Sequence, residues 1–291
     1  MDVHQVLKQW SQAQVIWYIE VVIHAIDADG VVAPIEMEYL SNLFVHVEDS
    51  TMRMRLRMII EDSERPSIKS PPEISKKGLA WAFTEIAALM IADFDFDQKE
   101  QAFLQELATL MGLNEKFIPY LIKWALQGHA WQQSRIALLE VKPDEDGNYS
   151  LQVPLMSFDT EQRLWYAQIL VNSIVIDGKI DNDEIEMFKG VLGFVEDNLQ
   201  KENLLKHVKR KVRPTLYAPK GIDESVLKLV LFEVLTHFVM QNQMHDKEKI
   251  FIRQLGNILL LPDDLTEKAI LWWSEGVNWR RKVPALIHNA Q

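Results

Sequence analysis

Apolar residues return every three or four positions along most of this chain. Val15, Ile19, Val22, Ile23 and Ile26 do so, as do Leu79, Phe83, Ile86 and Met90, and later Phe103, Leu107 and Leu110. That period gathers them on one face of an α-helix. Proline-bearing stretches at 66–72 and 214–221 interrupt the runs, because a residue before proline is pushed out of the helical region. An all-α protein is expected, with helices paired as αα-hairpins. One segment departs from the period. Around Asp146-Gly147-Asn148 the apolar positions alternate, as Leu139, Val141 and then Tyr149, Leu151, Val153, which fits a small β-hairpin or an extended linker.

The pattern repeats. Four apolar helical runs each end in a short polar loop that closes on a glutamate opening the next helix. The loops run from Asp29 to Glu36, Asp93 to Glu100, Asp177 to Glu184 and Gln241 to Glu248. First and last positions are seven apart in every copy, and the copies keep one register: 177 − 29 = 148 and 241 − 93 = 148. The same offset carries Trp17-Tyr18 onto Trp165-Tyr166, Glu85 onto Glu233, Phe103 onto Phe251, and Trp124, Gly128 and Trp131 onto Trp272, Gly276 and Trp279. Matches of this density without a gap indicate a tandem duplication. The expected domains are 1–137 and 155–291, joined by a linker at 138–154.

Composition narrows the classes. At 291 residues, about two domains are expected. A net charge of −11 argues against a general nucleic-acid binder, which needs a positive face. The absence of cysteine excludes disulfides, a thiol nucleophile and thiolate metal ligands, and it fits a reducing compartment. The first residues lack the basic-then-apolar pattern of a signal peptide, and no apolar run approaches the ~20 residues needed to span a bilayer. A cytoplasmic protein is expected.

Two readings of the acidic loops stand side by side. As helix starts, Asp97 with Glu100 and Asp181 with Glu184 have capping-box spacing, and acidic residues in a first turn suit the helix dipole. Gly30 and Gly178 suit a left-handed helix terminus. Yet Asp29 and Glu36 persist where the cap position is Ala33, and Glu248 persists where it is His245. That persistence points to a second role for the carboxylates. Hard oxygen donors in a turn suit Ca²⁺ or Mg²⁺. One hairpin offers too few oxygens, so two facing hairpins would share an ion: Asp29, Glu36, Asp93 and Glu100 in the first half, and Asp177, Glu184 and Glu248 in the second. The first half is favoured, since Gln241 offers only an amide. The Asp93-x-Asp95-x-Asp97 run is not an EF-hand, because Gln98 stands where that loop needs glycine and Leu104 where it needs glutamate.

The stretches "DADGVVAPIEMEYL" and "VIDGKIDNDEIEMF" resemble the tellurite-resistance TerB family in letter and spacing. "ADFDFDQKEQAFLQELATLMGL" is similar to that family's second hairpin, with Phe94 in place of its glycine. Each half matches one complete domain. The resemblance implies two TerB-like helical domains, each of two hairpins with acidic loops. It also implies a non-enzymatic module tied to tellurite resistance, stress response or phage defence, with protein partners and a cation-sensing role. By position it brings over Asp29, Glu36, Asp93, Glu100, Asp177 and Glu184. The fourth copy departs, with Gln241 for Asp and Asn242 for Gly.

Catalysis is not expected. The chain has no phosphate loop, nucleophile elbow or His-Glu-x-x-His pattern. The competing class is a metal-dependent hydrolase using the clustered carboxylates. Glu20 and His24, and Glu233 and His237, each share a helix face, but these pairs do not correspond under the offset, and each histidine reads as a lone core residue. A basic stripe, Lys206, Lys209, Arg210 and Arg213 with His207 and Lys211 beside it, reads as a solvated face or a contact for acidic lipid headgroups or an acidic partner.

Overall fold

The computed structural model describes residues 3–28, 34–61, 67–91, 96–143, 149–180, 182–240 and 244–289. Among them the regular structure is helical, without a strand. In chain order the helices are α1 (Val3–Leu7), α2 (Gln12–Ile26), α3 (Pro34–Leu43), α4 (Ser50–Glu61), α5 (Lys76–Met90), α6 (Gln98–Leu110) and α7 (Ile118–Leu139). They continue as α8 (Thr160–Val175), α9 (Asn182–Leu192), α10 (Asn198–Arg210), α11 (Glu224–Met240), α12 (Asp246–Ile258), α13 (Asp263–Arg281) and α14 (Val283–Asn289). Short 3₁₀ turns sit at Phe44–His46 and Leu155–Ser157. No helix is long and apolar enough to cross a membrane, among the described residues.

Packing divides the chain into two compact units. One comprises 1–133 with 281–291, the other 134–280. The cut falls inside α7, and α14 packs on α5 of the first unit. The boundaries expected at 137 and 155 follow the repeat, whereas the units follow contacts.

In the first unit α2 is the central helix. It starts on a reciprocal cap, with Gln14 N donating to Ser11 Oγ and Ser11 N to Gln14 Oε1. Nearly its whole circumference is buried, from Val15 through Ile26, because α3, α4 and α5 surround it. In the second unit α8 holds that place among α9, α10 and α11, and it too begins on a reciprocal cap, Asp159 with Gln162.

Individual contacts recur with the 148 offset. The starts of α2 to α6 and of α8 to α12 differ by it in every case: 160 − 12, 182 − 34, 198 − 50, 224 − 76 and 246 − 98. Trp17 Nε1 donates to Lys69 O at 3.0 Å, and Trp165 Nε1 to Tyr217 O at 3.1 Å. Gln14 Nε2 reaches Glu73 O, and Gln162 Nε2 reaches Gly221 O. The left-handed positions Gly112 (φ 63°) and Leu260 (φ 57°) end α6 and α12 alike. In both units an indole therefore ties the proline-bearing stretch to the central helix. Trp17→Phe and Trp165→Phe each remove one such bond, and each is expected to cost about 1 kcal/mol. Urea unfolding checks this: similar losses mark equivalent frames, and a loss at one site alone marks different ones.

The expected β-hairpin is not seen in the described parts of the linker. Its centre, 144–148, lies outside the described residues, and the flanks at 141–143 and 149–154 carry no strand. Leu151 and Val153 are nevertheless buried. Their backbone groups are met by side chains and not by a ladder: Arg135 Nη2 donates to Leu151 O at 3.2 Å, and the Val153 amide serves the Glu233 carboxylate. The groups that meet them are side chains of α7 and α11.

Candidate functional site

Each of the four loop-closing glutamates is the third residue of its helix: Glu36 in α3, Glu100 in α6, Glu184 in α9 and Glu248 in α12. Their exposures are 3%, 3%, 4% and 1%. A glutamate that only caps an open helix end keeps its carboxylate in water, and burial of an ionised carboxylate is costly unless it is hydrogen-bonded or paired. These four are therefore core carboxylates whose neighbourhood must satisfy them.

The bonds present show how. Glu100 accepts from Asp97 N at 2.9 Å, while Asp97 Oδ1 accepts from Glu100 N at 2.9 Å. Glu248 accepts from His245 N at 2.6 Å. This amends the expectation that capping weakens at His245. The glutamate needs only the backbone amide of the cap residue, which every residue except proline supplies. The spacing survives a poor cap because half of the box never uses the cap side chain. Ala33 and Asp181, the other two cap positions, lie outside the described residues.

In the second unit several of these groups converge. The Asp177 side chain accepts from Lys179 N at 2.7 Å, turning the chain over Gly178, whose φ of 79° needs a residue without Cβ strain. Lys211 Nζ donates to Gly178 O at 2.5 Å and holds the loop to the end of α10. From α11, His237 Nε2 lies 3.4 Å from Glu184 Oε1. The Glu248 carboxyl sits above its ordinary range, chiefly because burial penalises its charge; Asp177 adds to the rise, and the His245 amide, His245 and His237 oppose it. Asp177, Glu184, His237 and Glu248 thus share one electrostatic neighbourhood.

His237, read from the sequence as a lone core histidine, lies instead beside the Glu184 carboxylate. Its counterpart under the offset is Leu89 (237 − 148 = 89), and Asp93 corresponds to Gln241. The trade of a carboxylate for an amide, one turn beyond a histidine that replaces leucine, was the available signal.

Glu100, Asp177 and Glu248 accept backbone N–H groups. Among the described residues no group of three or more histidines, aspartates and glutamates is arranged to hold a metal ion. Of the expected ligands, Glu36, Glu100, Asp177, Glu184 and Glu248 are described; Asp29 and Asp93 lie outside the described residues, as does Gln241. The basic stripe does not stay together. Arg213 lies past the end of α10, donates from Nε to Asn172 Oδ1 at 2.8 Å and stands over the Phe251 ring at 5.2 Å, while Lys211 is taken by the Gly178 carbonyl.

Comparison of the chain with protein-family models, with curated proteins and with solved structures gives no match.

Proposed function

We propose that this chain is a tandem pair of TerB-like helical domains, a non-enzymatic interaction module of a cytoplasmic stress or defence system, whose first-half acidic loops hold a divalent cation, Ca²⁺ or Mg²⁺. The observation that carries this reading is the burial of a glutamate at the same helical position in all four hairpins. Recurrence of helix starts and indole hydrogen bonds at the 148 offset supports the duplication.

The two halves divide the charge differently. The second carries His237 and Gln241 where the first carries Leu89 and Asp93, so at these two positions the first has a carboxylate in place of an amide and no imidazole. An imidazole in the second half takes the place that a cation takes in the first. The residues for that ion are Glu36 and Glu100, with Asp29 and Asp93 from the loops; all are hard oxygen donors, the chemistry Ca²⁺ and Mg²⁺ prefer. In the second half Glu184 and Glu248 are met by an imidazole and an amide, which favours binding over catalysis, since a general base must be free to take a proton. Partners would be proteins that read the loaded loops.

Thermal unfolding with a chelator, and then with millimolar Ca²⁺ or Mg²⁺, tests the reading. A ligand bound only by the native state adds about 2.7 kcal/mol at a hundredfold excess over its Kd. A rise in Tm in the wild type, absent in Asp29→Asn/Asp93→Asn, is expected. An unchanged Tm with both ions would reduce the loops to helix caps.

A further inference from the structure

We propose that the cleft between α8 and α10 binds a small phosphomonoester that also carries hydroxyl groups. The cleft measures about 330 Å³, at the lower end of the ~300–1,000 Å³ usual for small-ligand sites. Lys206, His207 and Arg210 line it together with the amides of Gln168, Gln200 and Asn203. Three basic side chains converge on one concavity of a chain whose net charge is −11. Concave walls focus such a field and attract anions. The guanidinium and ammonium suit phosphate oxygens, and the amides suit hydroxyls.

These charges are not spent elsewhere. Arg210 makes no ion pair among the described residues, and the contact of Lys206 with Glu202, 3.8 Å between two largely exposed groups, is a weak surface pair. His207 Nδ1 lies 2.9 Å from Val212 O. A carbonyl only accepts, so Nδ1 carries the proton and Nε2 is left over. Gln168 Oε1 is buried at the cleft with no hydrogen-bond partner among the described residues, so its amide gains by turning toward a ligand donor.

The wall is also fixed in advance. Val212 N donates to His207 O at 3.0 Å, and Lys211 adopts a left-handed φ of 55°. Asn172, 1% exposed, donates to Pro214 O at 3.0 Å and accepts from Arg213. A preorganised wall spares a ligand the cost of ordering it.

The other half of the repeat serves as an internal control. Subtracting 148 from 206, 207 and 210 gives Met58, Ile59 and Asp62. The corresponding positions of the first half therefore lack these three side chains.

The test is titration of the ¹⁵N-labelled full chain with ribose 5-phosphate at physiological salt, followed by amide shifts. Saturable shifts along 200–212 with a Kd of about a millimolar or below are expected. In Lys206→Met/His207→Ile/Arg210→Gln binding should weaken by at least about tenfold with the Tm of the protein retained, and Arg210→Lys should keep most of the affinity. Should the triple variant fail to fold, Arg210→Gln alone gives the reading. Absence of saturable shifts, or undiminished binding by the variants, would overturn the proposal. So would binding to phosphatidic acid vesicles without binding to ribose 5-phosphate, which would make the phosphate a lipid headgroup.

Discussion

Arg135→Met is expected to lower stability by about 1–3 kcal/mol, because it leaves the buried Leu151 carbonyl without its donor and removes a positive charge that favours the buried Glu233 carboxylate. Burial drives the Arg135 guanidinium down to about 10, with Glu233 opposing the fall. Burial likewise raises the Glu233 carboxyl, and Tyr166, the Val153 amide and Arg135 hold it back. Tyr166 donates to Glu233 Oε1 at 2.5 Å, and its own hydroxyl is held far above the usual phenol range by burial and by that carboxylate. Arg135 also stands over the Trp272 ring at 6.0 Å and caps the Leu151 carbonyl. Methionine keeps much of the bulk and removes the charge. If the loss comes from the Glu233 carboxylate, Arg135→Met/Glu233→Leu recovers most of it in urea unfolding. A double variant no better than the single would assign the loss to the Leu151 carbonyl and to packing.

His237→Leu is expected to cost about 2–3 kcal/mol near neutral pH, since it deletes a nitrogen 3.4 Å from the buried Glu184 and a group that opposes the rise of Glu248. The pH dependence has a definite sign. A carboxyl whose folded pKa lies above its unfolded value binds more protons folded than unfolded, so its contribution to stability falls as pH rises through that window. Glu248 lies on that side already, and loss of His237 moves it further. The deficit should shrink on acidification toward the ordinary carboxylate range. Unfolding free energies across that range check it; a deficit independent of pH would show that shape, not charge, sets the cost.

The helical hairpins were legible because two signals agreed: apolar residues at helical spacing and glutamates at a fixed distance from each loop. α3, α6, α9 and α12 all place that glutamate third. Its burial was not legible, since capping and core carboxylates share one spacing and only the surrounding helices separate them. The site partner from α11 was missed because His237 breaks the repeat, and a search for sameness between halves discards what differs. Period-two alternation at Leu151 and Val153 suggested a hairpin or linker, but the groups that meet their backbone lie on Arg135 and Glu233, outside the segment. The basic stripe failed as a stripe because Arg213 follows the left-handed Lys211, which ends the helical register.

The most direct test of the central claim is calorimetric titration of Ca²⁺, and separately Mg²⁺, into the wild type, Asp29→Asn/Asp93→Asn and Asp177→Asn/Glu248→Gln. Heat from a first-half site is expected, disappearing in the first variant and persisting in the second. No heat with either ion, or equal heat in all three proteins, would contradict it.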